Sequence, residues 1–223
     1  MNLWAHRGAH ADAVENTMAA FEAAIALDAH GVELDVRATA DAAVVVFHDA
    51  DLERLASDPR RVAELPRGAL PSVGGAPVPL LDEALDRLLA AGLEVNVEVK
   101  AAPLEAARVL AARSSSERDA VIVSCFDADA LAAVRDAVTV RTAYLFERVT
   151  DAVAARLAEF DGVHPHHEAC AAEAVAAWRR AGRFVNAWTV NDPDRAVALR
   201  DLGIDGLVTD DVAGAREACG SRV

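Results

Sequence analysis

The sequence predicts an α/β protein, a single-domain (β/α)8 or TIM barrel over residues 1–223, with an extra β-hairpin strand after its second strand. Three observations carry this expectation. From Leu80 onward, short β-branched runs alternate with helical segments, the pattern of parallel βαβ units with right-handed crossovers. Strand markers at Leu3, Val32, Val95, Val121, Val140, Val163, Val185 and Leu207 number eight, the count of a closed barrel. The architectural alternative is a doubly wound open sheet, and the Gly-x-Gly-x-x-Gly that often follows its first strand is missing here. With 223 residues and 53% hydrophobic content, the chain is long and apolar enough to bury a large core as one unit.

Taken in order, Leu3-Trp4-Ala5 is a brief apolar strand that ends in His6-Arg7-Gly8. Asn16 or Thr17 is placed to cap a helix in which Phe21, Ala24, Ile25 and Asp28 recur at helical spacing, with Gly31 to stop it. Gly31 to Val36 is the second strand. Residues two apart on a strand share a face, so Glu33 and Asp35 point one way and Val32, Leu34 and Val36 the other. Val44 to Phe47 is an apolar run ending in His48-Asp49. The residues between are too few for a parallel crossover but enough for a hairpin, and a turn near Ala40-Asp41 sets His48 opposite Glu33.

Asp51 to Pro79 has scattered Pro, Gly and Arg residues with weak periodicity, and reads as a long loop with one helical turn. Helices near 82–91, 104–113, 128–136, 151–159, 171–181 and 193–202 then alternate with strands at 94–100, 121–125, 140–145, 162–164, 184–189 and 206–209. A terminal helix follows.

The formal net charge of −14 argues against a nucleic-acid partner, which wants a basic patch, and disfavours an anionic membrane surface. No window approaches the ~18 apolar residues of a membrane span, and the N-terminus lacks a signal peptide's apolar core, so a cytoplasmic protein is expected. Cys125, Cys170 and Cys219 are scattered and imply neither a disulfide framework nor a zinc knuckle.

In a barrel, polar residues at the carboxyl ends of strands converge on one mouth. Here these are His6 and Arg7, Glu33 and Asp35, His48 from the hairpin, Glu98 and Lys100, Trp188 and Asp210. Acidic residues on a strand commonly lie on a solvated face. Two adjacent carboxylates in an apolar strand are instead costly unless a positive charge sits between them, which a divalent cation with oxygen ligands supplies. Arg and Lys donate to phosphate oxygens, and two imidazoles suit acid–base work on opposite sides of phosphorus.

The text carrying this set is Ala5-His6-Arg7-Gly8, Glu15-Asn16-Thr17 with Ala20-Phe21, Gly31-Val32-Glu33-Leu34-Asp35-Val36, Val45-Val46-Phe47-His48-Asp49, Asn96-Val97-Glu98-Val99-Lys100, Trp188-Thr189-Val190-Asn191 and Gly206-Leu207-Val208-Thr209-Asp210. Spread in order over nearly the whole chain, it resembles the glycerophosphodiester phosphodiesterases, in the superfamily that includes phosphatidylinositol-specific phospholipases C. The resemblance implies metal-dependent hydrolysis of small-molecule glycerophosphodiesters to sn-glycerol 3-phosphate and an alcohol, through a cyclic phosphate. It implies His6 and His48 as the acid–base pair, and Glu33, Asp35 and Glu98 as ligands of one divalent cation, Mg²⁺ or Ca²⁺. It further implies Arg7 and Lys100 on the phosphate, Asn16 supporting the first loop and Trp188 lining the pocket. A sphingomyelinase D-like lyase and a non-catalytic phosphodiester-binding barrel are the alternatives, and the oligomeric state stays open.

The resemblance departs after His48-Asp49. The family's Thr-Thr-Gly-rich segment is replaced by Leu52-Glu53-Arg54-Leu55-Ala56-Ser57-Asp58, and the substrate-covering insertion before Leu80 is short. Cys125 is expected as pocket wall or core. His164-Pro165-His166-His167 is expected as a loop at the mouth and not as a zinc site, with contact of His164 to substrate left as the lesser alternative. His10 and His30 read as surface residues. Asp210 either orients Arg7 or caps the last helix.

Overall fold

In the computed structural model, which describes residues 1–220, the strands in chain order are β1 (Asn2–His6), β2 (Gly31–Ala38), β3 (Val44–Val46), β4 (Asp51–Leu52), β5 (Asp58–Arg61), β6 (Glu94–Val99), β7 (Val121–Cys125), β8 (Arg141–Phe146), β9 (Gly162–Pro165), β10 (Phe184–Ala187) and β11 (Gly206–Thr209). The α-helices are α1 (Met18–Ala26), α2 (Glu53–Ala56), α3 (Leu81–Ala90), α4 (Pro103–Ala111), α5 (Ser115–Asp119), α6 (Ala128–Ala137), α7 (Asp151–Arg156), α8 (Ala172–Arg180), α9 (Pro193–Asp201) and α10 (Val212–Cys219). Strands pair in the order β1-β11-β10-β9-β8-β7-β6-β2, and β1 pairs with β2 to close the ring. All eight of these pairings are parallel, and β3 lies outside the ring, antiparallel to β2. The expected (β/α)8 barrel with an extra hairpin strand is therefore the fold.

Strand alternation divides the interior in two. Leu3 and Ala5 on β1, Val32, Leu34 and Val36 on β2, and Val95, Val97 and Val99 on β6 belong to the large core between barrel and helices. The opposite face points into the barrel, where Trp4, Ile122, Ala143 and Val208 pack with Phe184 and Trp188. Glycines make room for the two rings at the base. A Cβ on Gly162 would lie 2.3 Å from the Phe184 ring, and one on Gly31 2.6 Å from Trp4. The buried polar residues Glu33, Asp35, Asn96, Glu98, Ser124, His164 and Asn186 continue the inward alternation toward the carboxyl-terminal mouth.

Several local expectations are corrected. Gly31 does not stop α1; the helix ends at Ala26, Asp28 takes a positive φ of 54°, and Gly31 opens β2 beside Trp4. Thr17, not Asn16, is the cap, its hydroxyl accepting the Ala20 N–H. The hairpin register differs by one residue: Val36 pairs with Val46 and Ala38 with Val44. The turn therefore centres on Asp41, and extending the register sets His48 opposite Leu34 rather than Glu33. The cause is the loop Ala40-Asp41-Ala42, closed by a Thr39 N–H bond to Ala43 O (2.9 Å), with Ala42 at φ 62°.

Residues 51–79 are not a bare loop. They form the β4–β5 ribbon, α2 and two 3-10 turns over a small core of Leu52, Val62, Leu65, Val73 and Val78 against Val45 and Phe47. Each turn contributes one or two apolar residues, which leaves no period to read. A one-turn helix, α5, was also missed; Ser114 caps it and Glu117 returns a bond to the Ser114 N–H. No helix among the described residues is long and apolar enough to cross a membrane.

Candidate active site

Neighbouring strands assemble the carboxylates. In the β2–β6 register Asp35 sits beside Glu98 and Glu33 beside Asn96. Glu33, Asp35 and Glu98 are only 4%, 1% and 8% exposed, and one oxygen from each lies within 4.8 Å of those of the other two. Burial, then repulsion from Asp35 and Glu98, pushes Glu33 well above the usual carboxyl range. Burial and then Asp35 push Glu98 up to about 7. Burial acts on Asp35 as well, but the charges of Lys100 and Arg7 outweigh it and hold this carboxylate down.

Two cations face these three acids. Lys100 Nζ lies 3.1 Å from Asp35 Oδ1 and also pairs with Glu98 Oε1, while Arg7 Nε lies 3.1 Å from Asp35 Oδ2. Glu33 Oε1 is buried with no hydrogen-bond partner, while Asp35 Oδ1 and Glu98 Oε1 share the single Lys100 ammonium. Three buried carboxylates, one with an orphaned oxygen, and no nitrogen or sulfur donor in the set match a hard divalent cation.

The loop after β1 is strained to serve this cluster. Arg7 and Asn16 both adopt positive φ, 55° and 56°, a conformation that costs a non-glycine residue on the order of 1–3 kcal/mol. At Arg7 it turns the backbone N–H onto Glu33 Oε2 (3.2 Å). At Asn16 it lets the side chain donate to Asp35 Oδ2 (2.8 Å) and accept the Asp35 N–H (3.3 Å).

Each of two imidazoles is backed by a carboxylate. His6, at the end of β1, donates through Nδ1 to Asp210 Oδ1 at 2.6 Å, and its Nε2 lies 4.0 Å from Glu33 Oε2. Asn191 steadies Asp210 by donating to Oδ2 at 2.6 Å and accepting the Asp210 N–H at 2.9 Å. His48 donates through Nδ1 to Asp49 Oδ1 at 2.6 Å, and Arg37 donates to the His48 carbonyl at 2.8 Å. Because an ionised carboxylate only accepts, both rings carry a proton on Nδ1 and leave Nε2 free of that contact. Burial opposes ionisation of Asp210, yet its bonds from His6 and Asn191 hold it well below the usual carboxylate range. Burial lowers His48, against the pull of Asp35 and Asp49. Behind Asp49, Arg54 donates to Asp49 Oδ2 (2.7 Å) and Glu15 Oε1 (2.6 Å), and Glu15 accepts from Arg7 Nη1 (2.8 Å). A single polar network thus joins His48 to Arg7.

A cavity of about 20 Å³ lies beneath the mouth, with His6, Glu33, Glu98, His164 and Trp188 among its walls. Trp188 also borders a wider, open cavity of about 690 Å³ over β8 and β9, lined by Glu147, Val149, His166 and Glu168. Phe126 packs edge-on against Trp188, with ring centroids 5.4 Å apart.

The sequence profile of the glycerophosphoryl diester phosphodiesterase family matches residues 6–213. The chain belongs to this family. Among curated family relatives, the glycerophosphodiester phosphodiesterase of Caldanaerobacter subterraneus subsp. tengcongensis is 27% identical, the match covering 93% of each chain. A glycerophosphodiester phosphodiesterase structure from Thermotoga maritima superposes with a TM-score of 0.82 at 29% identity over 95% of both chains. An Oleispira antarctica phosphodiesterase, solved with its product sn-glycerol 3-phosphate, superposes with a TM-score of 0.91 at 24% identity, over 99% of this chain and 97% of that one. The chain is accordingly an enzyme of the glycerophosphodiester phosphodiesterase class.

Of the residues the family resemblance points to, His6, Arg7, Glu33, Asp35, Glu98 and Lys100 form one cluster, with His48 and Trp188 at its rim. Asp210 differs from both expected roles: it neither orients Arg7 nor caps α10 but holds His6, and Asp211 is the cap. His10 is half-buried, its Nε2 3.1 Å from Asp210 Oδ1. His164 lies on β9, the strand expected at 162–164, and not in a mouth loop; it is buried, accepting from Asn186 Nδ2 at 3.2 Å. Burial pushes it down to about 3, so the ring is neutral. Cys125 takes the core place expected of it: its thiol donates to Val99 O, and burial pushes it up to about 11. Glu15, Asp49 and Arg54 were not singled out as site residues; the signal available was the His48-Asp49 dipeptide and the Glu15 of the quoted motif.

Proposed function

We propose that this enzyme hydrolyses glycerophosphodiesters to sn-glycerol 3-phosphate and an alcohol, with Glu33, Asp35 and Glu98 holding one divalent cation, Mg²⁺ or Ca²⁺. The observation that carries the reading is the pair of carboxylate-backed imidazoles set around the buried acidic cluster. When bound, the cation supplies charge neutralisation and Lewis acidity at a non-bridging phosphate oxygen. Arg7 and Lys100 donate to the remaining phosphate oxygens and fix the phosphorus between His6 and His48.

One imidazole takes the proton of the glycerol 2-hydroxyl through Nε2 as that oxygen attacks phosphorus. The other enters the step as an imidazolium, protonated at Nε2 as well as at Nδ1, and gives its Nε2 proton to the departing alkoxide as the P–O bond to the alcohol breaks. The product of this step is a five-membered cyclic phosphate. In the second step the roles reverse: the ring now lacking a proton activates water, and the protonated ring returns its proton to the glycerol oxygen. Asp210 and Asp49 stabilise each imidazolium as it forms and keep Nε2 facing phosphorus. The open cavity beyond Trp188 receives the alcohol substituent.

The intramolecular route has a direct test. A 2-deoxy analogue of glycerophosphocholine lacks the attacking hydroxyl and is expected to resist cleavage while still competing for the site. Its hydrolysis at the rate of the parent diester would exclude the cyclic phosphate.

A further inference from the structure

The loop after β1 brings another imidazole to the carboxylate behind His6. Gly8 (φ +84°) lets the chain reverse against α1, where a Cβ would lie 2.7 Å from Ala20, and the Ala9 N–H donates to Ala20 O at 2.9 Å. His10 is thereby returned to the mouth. Its Nε2 lies 3.1 Å from the same Asp210 Oδ1 that His6 Nδ1 meets at 2.6 Å, and the two rings' centroids are 6.3 Å apart. Asn191 holds the other Asp210 oxygen. One ligand atom from each of His6, His10 and Asp210 lies within 4.8 Å of the other two.

Holding His6 in place needs only the Asp210 carboxylate, so the second imidazole on the same oxygen calls for another account. Two imidazoles and a carboxylate, the latter braced by an amide, are the donor set of an open zinc-type site, with room for water or another ligand in the fourth position. Ligand bonds of about 2.0–2.1 Å place donor atoms roughly 3.3 Å apart, so each imidazole nitrogen need only draw back from Asp210 Oδ1 by less than an ångström. The set differs in kind from the all-oxygen cluster of Glu33, Asp35 and Glu98, because imidazole favours borderline transition metals and carboxylate oxygens favour hard ions.

We infer that His6, His10 and Asp210 form a second metal site, selective for a Zn²⁺-like ion, and that its occupation switches the enzyme off. The inhibitory half rests on the reading of His6 as a proton-transfer residue. A metal on Nδ1 takes the place of the proton now shared with Asp210; that proton moves to Nε2, or to solvent where Nε2 already carries one, so the ring keeps a single proton, on Nε2. Releasing that proton would require an imidazolate, and a second cannot be taken up while the metal stays bound. The ring no longer cycles between its two protonation states.

The test uses the full chain in excess Mg²⁺, with Zn²⁺ and Co²⁺ as probes and His10→Gln as the variant. The glutamine keeps a hydrogen-bond donor for Asp210 but is a poor zinc ligand. The wild type is expected to bind one Zn²⁺ calorimetrically, to show the visible absorption of four-coordinate Co²⁺, and to lose activity that a chelator restores and further Mg²⁺ does not. His10→Gln is expected to retain zinc-free activity and to lose more than about tenfold in Zn²⁺ affinity. Equal zinc binding and inhibition in His10→Gln, or no zinc binding by the wild type, would overturn the site. Zinc bound through His10 without loss of activity would overturn the switch. Loss of zinc-free activity in His10→Gln would make His10 part of the proton-transfer set and overturn the assignment as well. Turnover of a His6→Ala protein without zinc tests the role of His6 independently.

Discussion

At the residue scale, the site depends on charges that are expensive to bury alone. Glu98 is raised to about 7 in the folded chain, against about 4.3 for an unstructured glutamate. A raised carboxyl stabilises the fold most fully below its unfolded value, and that contribution is lost as pH climbs toward the folded one. Glu33 is shifted in the same direction. The stabilisation given by saturating Mg²⁺, read as the difference in melting temperature with and without the ion, is therefore expected to grow as pH climbs from about 4.3 to about 7, because the cation binds the ionised carboxylates. Buried His164, held down to about 3, adds stability with rising pH to both forms alike and drops out of the difference. A difference that shrinks over that interval would contradict the assignment of the buried charges. Substitutions separate the two halves of the site: His48→Ala should abolish turnover and keep metal binding, whereas Glu33→Ala should lose both. Asp210→Asn keeps the shape but offers an amide where His6 needs an acceptor. A fall in kcat of about 10²–10⁴, at nearly unchanged Mg²⁺ affinity, is expected from steady-state kinetics and calorimetry.

At the scale of elements, period-two strands and capped helices carried most of the fold. Strands β7 and β11 fall on the residues that the sequence pattern marked, 121–125 and 206–209. What escaped was set by single residues outside any period. The Ala42 turn displaced the hairpin register by one, and the core of residues 51–79 draws its apolar residues singly from separate turns. The site was legible in the same proportion. Glu33, Asp35, Glu98 and Lys100 sit on strands or at their ends, where spacing fixes direction. The carboxylates behind the imidazoles and the groups that brace them come from loops: Asp49 and Arg54 after the hairpin, and Asp210 and Asn191 after β11 and β10. Which loops meet is decided by barrel closure between β1 and β11, more than 200 positions apart in the chain. The base of the barrel offers a mechanical test. Gly162→Ala would drive a methyl into the Phe184 ring and is expected to destabilise by about 1–3 kcal/mol in urea denaturation, with metal affinity reduced only if the mouth distorts with the base. A stability unchanged from wild type would mean that Phe184 moves aside freely.

At the scale of the whole molecule, a chain of net charge −14 handles an anionic diester. On the proposed reading, Arg7, Lys100 and the cation that Glu33, Asp35 and Glu98 would hold concentrate positive charge at one mouth, inside an otherwise repulsive field. The short ribbon of residues 51–79 packs on its own core, and the mouth stays open on the side of Trp188 and His166. The central claim is that this mouth is a metal-dependent glycerophosphodiesterase centre. Its most direct test is the release of glycerol 3-phosphate from glycerophosphocholine and glycerophosphoethanolamine by the purified chain, with Mg²⁺, with Ca²⁺ and with EDTA. The account predicts release with at least one of the two ions and none with EDTA, restored on adding the ion back. Undiminished release in EDTA, or no release from folded, metal-loaded protein, would contradict it.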